Sequence, residues 1–384
     1  MKNSSTSSSD TAGDGGTVRP SRVQDAADAS ACARTPDPWR AFLRWTAAAF
    51  GATFATLAVF IVVLDPHDHL LIAPTFERAP INSNQRYSYP AVARSEQFDS
   101  VVIGTSTARL LKPSRLDPEL GGRFANLSMN SATSYEQGRL LDLFLRSRAE
   151  VHTVLFGVDS VWCERNASPV RYTPRPFPEW LYDDDPWNDL LHVLNGPTLE
   201  QAVRQLQFQL GRREPRFGLD GYRTFLPPPG EYDLGKARRN LYGGDGTPRP
   251  REGASGPLSD TERTEAVYGA LRNMQGALAA VPAKARIIFW LVPYHHHHLG
   301  APGSKRLAWL DDCKQRIVQL AASRPNTVVL DMMFRSPLTS EDANYWDPLH
   351  FSESVADSLP GLFRLAIEDG MPGKSIKRLL PRGS

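Results

Sequence analysis

The chain has 384 residues, enough for one large domain or two ordinary ones, and its 44 Lys and Arg against 42 Asp and Glu leave a net charge of +2. The basic residues are scattered rather than gathered in a stripe with aromatics, so nucleic acid is not an expected partner. Its 31 prolines and eight tryptophans point to long ordered loops rather than a helical bundle.

Residues 1–40 are rich in Ser, Ala, Asp and Gly and poor in large apolar groups, the composition of a disordered tail. From Trp45 to Leu64 no residue is charged and the segment is apolar on every face. Twenty such residues at 1.5 Å each span about 30 Å, the hydrocarbon thickness of a bilayer, so a membrane-spanning helix is predicted over 41–64. Arg34, Arg40 and Arg44 precede the segment, while Asp65 and Asp68 follow it. The positive-inside rule then puts the N-terminus in the cytoplasm and the rest of the chain in the periplasm or outside the cell. A long leader and the lack of a small-x-small site read as an uncleaved anchor.

Residues 65–97 are polar and dotted with proline, and read as a stalk wrapping onto the domain. Regular structure is predicted from about residue 98 to 370. Ser100-Val101-Val102-Ile103-Gly104 is an apolar run of the buried parallel-strand kind, followed by polar residues and a helical stretch to about Leu111. Further strands are expected at Phe124–Leu127, His152–Gly157, Arg286–Val292 and Thr327–Leu330. A helix over 134–148 would bury Leu140, Leu141, Leu143 and Phe144, and others are expected near 197–211, 260–280, 305–323 and 353–368. This alternation predicts an α/β fold, a three-layer α/β/α sandwich on a mostly parallel five-stranded sheet. The interval of roughly 120 residues between the third and fourth strands is far too long for a simple connection. Residues 166–257 read as an insertion, either a lid over one end of the sheet or a solubilising surface insert. Within it Trp180, Tyr182 and Trp187 beside Asp183, Asp184 and Asp185 suit packing, with sugar stacking the alternative. Residues 371–384 read as a C-terminal tail, ending in LLPRGS.

Three cysteines, Cys32, Cys163 and Cys313, match no metal spacing. Cys32 precedes the anchor, and Cys163 and Cys313 read as two separate buried thiols, with pairing in an oxidising compartment the alternative. The run His295-His296-His297-His298 lacks a coherent carboxylate partner set and reads as a solvated loop, with an active-site rim as the other reading. No metal and no cofactor are expected.

Ligands of open α/β sheets bind beyond the carboxyl ends of the strands. The first strand ends there in Gly104-Thr105-Ser106, which puts a serine where unpaired backbone N–H groups favour a developing negative charge. N-capping is the ordinary use of such a serine. Near the C-terminus, Tyr345-Trp346-Asp347-Pro348-Leu349-His350 sets a carboxylate and an imidazole three residues apart in a proline-fixed turn. There Asp347 can orient His350, and His350 can take a proton from a serine.

A serine after the first strand and a D-x-x-H before the last helix, in that order, resemble the SGNH/GDSL hydrolase superfamily. In the serine block VVIGTSTARLL, Ser106 takes the nucleophile place and Thr105 replaces the usual aspartate. In the second block, Asn126 to Thr133, Ser131 stands at the oxyanion glycine. In the third block, VLFGVDSVW, Asp159 stands near the asparagine place, where an ionised carboxylate would repel an oxyanion. The resemblance then requires that Asp159 be protonated, that Asn130 or another donor substitute, or that the site be silent. The resemblance implies a flavodoxin-like sheet. The anchor, the Gly-x-Ser and the terminal D-x-x-H are similar to the membrane-tethered branch that O-acetylates bacterial envelope polysaccharides or takes part in D-alanylation of teichoic acids.

The expected activity is therefore that of an extracytoplasmic serine-dependent acyl-ester enzyme, an O-acyltransferase or esterase acting on an envelope glycan. Expected partners are that polysaccharide, an integral-membrane acyl-donor protein, and the bilayer through residues 45–64. The rival reading is a catalytically inactive scaffold of the same fold that binds the polymer or the membrane partner.

Overall fold

The computed structural model describes residues 37–185, 187–249, 253–368 and 373–380. Residues 1–36, with Cys32 and most of the expected tail, and the LLPRGS end from 381 lie outside the described residues. The chain separates into two units at Phe54, within the first helix.

That helix, α1, runs from Pro38 to Leu64. It starts earlier than hydropathy suggests because the Asp37 carboxylate accepts from the Trp39 N–H and Pro38 suits a first helical position. Over its first 17 residues Trp39, Phe42, Leu43, Trp45, Phe50 and Phe54 are exposed. By length and composition α1 can cross a membrane.

In the second unit, α2 (Gln85–Arg94) leads into β1 (Ser100–Ile103), α3 (Pro113–Leu120), β2 (Phe124–Asn126), α4 (Ser134–Arg146) and β3 (Thr153–Val158). The long interval then holds α5 (Asp189–Val193), α6 (Gly196–Gln209), α7 (Leu234–Tyr242), α8 (Asp260–Glu265) and α9 (Gly269–Ala280). The remaining elements are β4 (Arg286–Leu291), α10 (His296–Leu299), α11 (Lys305–Ala322), β5 (Thr327–Asp331), α12 (Pro337–Ser340), α13 (Glu353–Glu368) and β6 (Lys377–Arg378).

The strands form one sheet in the order β2-β1-β3-β4-β5-β6. The first five are parallel, and β6 is antiparallel to β5. The fold is α/β as expected, with helices on both sides. The α3 and α13 helices pack together, while α4 contacts α2 and α9, and α9 contacts α11. Right-handed crossovers put α3, on the one leftward step from β1 to β2, opposite α4, α9 and α11 on the rightward steps, while α13 leads to the antiparallel β6, to which the rule does not apply. Every residue of β1 and β3 is buried, which is why both strands read as uninterrupted apolar runs.

Several segments differ from the sequence reading. The sheet has a sixth strand, β6, drawn from the expected tail; two polar residues carry no strand pattern. The segment read as a stalk contains α2, whose Tyr89, Val92 and Ala93 belong to the main core. Arg86 of α2 is fully buried against Glu136, with Nη2 2.6 Å from Oε2. Glu136 also completes the capping box that starts α4 at Thr133. The helix expected over 260–280 is broken into α8 and α9. A Cβ on Gly269 would stand 2.1 Å from the Ala167 carbonyl oxygen, and Val267 accepts from the Asn166 N–H, so the chain must leave the helix to make this approach.

Cys163 and Cys313 are joined in a disulfide, with Cα atoms 5.6 Å apart, so they are not two separate thiols. The 3₁₀ turn Ser160–Cys163 after β3 packs beside α11, which carries Cys313. Bridges of this kind persist in oxidising compartments, which points to an extracytoplasmic domain.

The insertion packs back onto the rest of the unit. Its α5 supplies Asp189, whose Oδ2 is 3.4 Å from His69 Nε2, while Asp65 reaches the other ring nitrogen at 3.2 Å. Tyr182 is fully buried with its hydroxyl donating to the Arg86 carbonyl, and half-buried Trp180 stacks on His192, so both pack. Trp187 and Asp183 to Asp185 are exposed.

Candidate active site

The sheet order reverses between β1 and β3, so the crevice at their carboxyl ends is the expected ligand site. Gly104 and Gly157 end these strands side by side. A Cβ on either would collide with the Ala108 side chain, at 2.6 and 2.4 Å respectively. Two glycines thus let the chain after β1 turn tightly over the strand ends. The turn is a short 3₁₀ segment, Ala108–Leu110, not the helix expected to Leu111. Ser106 sits just ahead of it and is half-buried. Three residues of 3₁₀ turn supply little dipole, so any assistance to Ser106 comes from individual N–H groups.

The Ser106 hydroxyl lies 2.8 Å from His350 Nε2, across 244 residues of sequence. His350 Nδ1 is 2.7 Å from Asp347 Oδ2. The other Asp347 oxygen accepts from the N–H groups of Leu349 and His350, at 2.9 and 3.0 Å. Burial raises the Asp347 pKa, but the hydrogen bond and charge of His350 and the two N–H groups outweigh it. The net shift is downward. An ionised Asp347 fixes Nδ1 as the protonated nitrogen, which leaves Nε2 free to accept the Ser106 proton.

The turn carrying Asp347 and His350 is held from outside at four of its carbonyls. Tyr232 donates to the Tyr345 carbonyl at 2.7 Å and Asn240 to that of Trp346 at 3.0 Å, both from the insertion. The His295 N–H donates to Pro348 at 3.0 Å, and the Thr107 hydroxyl to Leu349 at 3.3 Å. His295 is fully buried, with Nε2 3.3 Å from Asp342, and His296 to His298 form α10. The histidine run is therefore a support beneath the turn, not a solvated loop. Burial, with repulsion from His296, lowers His295 to about 4, so its ring is neutral at physiological pH. Asp342 is engaged in turn by the Tyr242 hydroxyl at 2.5 Å and by Arg238 at 2.8 Å.

Asp159 is buried, and both its oxygens are engaged. One accepts from the Thr105 hydroxyl and the other from the Val161 N–H at 3.0 Å, which caps the turn at Ser160. Burial pushes its carboxyl up to about 6, against those opposing hydrogen bonds. Thr105, in the place of the resemblance's aspartate, thus serves as partner to the acid that stands in the asparagine's place.

Ser131 is exposed with φ +54, the left-handed backbone that a glycine would hold without cost. Among the described residues its N–H has no hydrogen-bond partner, and neither has that of Ser106. The loop is tied to the end of β1 by the Met129 N–H donating to Gly104, at 3.1 Å. Asn130 Oδ1 accepts from Arg109 at 2.5 Å, and its carbonyl accepts from Arg86.

Two residues beside the triad escaped the sequence reading. The Phe225 ring, from the insertion, meets the His350 ring edge-on at 5.0 Å between centroids. Arg109 lies over Phe225 at 4.7 Å and donates to the Arg223 carbonyl. Neither carries a local signal, since each depends on a contact more than a hundred residues away. The insertion thus brings a side chain, Phe225, against His350. A cleft of about 1670 Å³ opens at the opposite end of the sheet, around Asp99, His152 and Arg286, away from these groups.

No protein-family model matches the chain, and no curated protein sequence matches it.

Proposed function

We propose that this chain is an extracytoplasmic serine-dependent acyl-ester enzyme, an O-acyltransferase or esterase acting on a cell-envelope glycan, anchored by α1 with its N-terminus in the cytoplasm. The observation that carries the reading is the continuous relay from Ser106 through His350 to Asp347 at the switch point of the sheet. In the proposed reaction His350 takes the Ser106 proton as Oγ attacks the acyl carbonyl. The resulting oxyanion faces the N–H groups of Ser106 and Ser131. His350 then returns the proton to the departing alkoxide, leaving an acyl-serine. A water molecule or a glycan hydroxyl, deprotonated by the same ring, attacks that ester and releases Ser106. The resemblance to membrane-tethered SGNH domains and the disulfide support the compartment.

Acetate release from p-nitrophenyl acetate and from O-acetylated envelope glycan by the solubilised full-length chain tests the proposal. Activity should be abolished in Ser106→Ala. Equal activity in that variant would refute it. A silent scaffold is the second reading, and Asp159 favours it. Above its pKa of about 6 this acid is charged close to the place where an oxyanion would form. On that reading the wild type is as inactive as Ser106→Ala.

A further inference from the structure

We infer that a ring-sized pocket beside the triad is the subsite for one pyranose ring of the acceptor or substrate glycan. The inference rests on the proposed function for its meaning, but not for its detection. The pocket has a volume of about 170 Å³ and lies between the insertion and the segment that carries Asp347 and His350. A cavity of about 150 Å³ accommodates a single six-membered ring. Leu226, on its wall, directly follows Phe225, which touches His350. Trp346, also on its wall, directly precedes Asp347.

The lining has two characters. Pro227, Pro229, Tyr232 and Trp346 present apolar and aromatic surface, with the Tyr232 and Trp346 ring centroids 6.2 Å apart and tilted by 59°. Ser352 and Glu353, at the start of α13, add polar groups to the wall, the Ser352 hydroxyl lying 2.9 Å from that of Ser354. A pyranose has the matching pair of surfaces, since its axial C–H groups make an apolar face and its hydroxyls radiate from the rim. An acyl chain would leave the carboxylate and hydroxyl unmatched in a partly enclosed space, at a cost in desolvation. A flat aromatic ligand would leave them unmatched as well. Charge does not select among sugars here, because Glu353 on the wall is offset by Lys236, whose Nζ stands 4.9 Å from the Trp346 ring centroid. Tyr232, on the pocket wall, also donates to the Tyr345 carbonyl at 2.7 Å, so one residue both lines the pocket and holds the turn that carries Asp347 and His350.

Saturation-transfer NMR on the detergent-solubilised full-length chain tests this, with methyl glucopyranoside, methyl N-acetylglucosaminide, methyl glucuronide and hexanoate as probes. At least one of the three glycosides should receive saturation on its ring C–H protons, and hexanoate should receive none. Trp346→Ala should remove the signal and Trp346→Phe should retain part of it. Ser354→Trp should also remove the signal, by filling the pocket from an exposed position on the first turn of α13. This second variant leaves the catalytic turn untouched. Binding of hexanoate alone, binding of no probe, or a pyranoside signal unchanged in Ser354→Trp would overturn the inference. Pyranoside binding lost in Ser354→Trp, in a protein without esterase or transferase activity, would instead overturn the proposed function and leave the sugar subsite standing.

Discussion

Replacing Asp159 with asparagine isolates the one group in the site whose charge works against the proposed chemistry. Its carboxyl is raised from an ordinary 3.8 to about 6 by burial. A group with a raised folded-state pKa contributes stability that is fully present below the unfolded value and lost as pH rises through the folded one. The wild type should therefore lose stability from this group between about pH 4 and pH 7. Two pKa units correspond to about 3 kcal/mol. Asparagine keeps an oxygen to accept from the Val161 N–H, and its amide can donate to Thr105 once that hydroxyl rotates. The variant's stability relative to wild type should then rise by about 3 kcal/mol between pH 4 and pH 7, or roughly 4 °C in melting temperature for a domain of this size. Thermal unfolding of both proteins in detergent at pH 4, 5, 6 and 7 measures the difference, and the comparison cancels every other titrating group. Ester turnover at pH 7.5 should rise in the variant, because a neutral amide no longer opposes the oxyanion. A stability difference that is flat across this range would show that Asp159 is not held protonated by burial.

In Asp347→Asn the side-chain oxygen still accepts from Leu349 and His350, so the fold should persist, but the amide would force His350 Nδ1 to accept. The proton then moves to Nε2, and turnover should fall on the order of 10⁴-fold with little change in melting temperature. Reducing the Cys163–Cys313 bridge, which closes a loop of 150 residues, should lower stability by about 2–5 kcal/mol, read from denaturation with and without reductant. A cysteine introduced at exposed Ser354 should react with a membrane-impermeant maleimide in intact cells, whereas reaction only after lysis would reverse the proposed orientation.

The parallel strands were legible because burial on both faces demands unbroken apolar runs, as in Val101-Val102-Ile103 and Val154-Leu155-Phe156. Asp347 and His350 were legible because a proline turn makes their meeting local, and Ser106 because a glycine-ended strand leads straight to it. What stayed hidden depends on distant partners. The α2 helix contains Pro90 and buries Arg86 in a charge pair with Glu136, fifty residues on, so no apolar period marks it. Phe225 and Arg109 matter only because the insertion folds back across the β1 end. His295 looks solvent-seeking in sequence but is buried by Asp342, Tyr242 and Tyr345. The cysteine pairing required knowing that the turn after β3 lies against α11.

In the proposed mechanism Ser106 is a nucleophile activated by His350. Incubating the full-length chain with a fluorophosphonate probe and mapping the adduct by peptide mass spectrometry tests it most directly. A single phosphonylated peptide carrying Ser106 is expected, absent in Ser106→Ala and strongly slowed in His350→Ala. No adduct in the folded wild type, or an adduct on another serine that persists in Ser106→Ala, would contradict it.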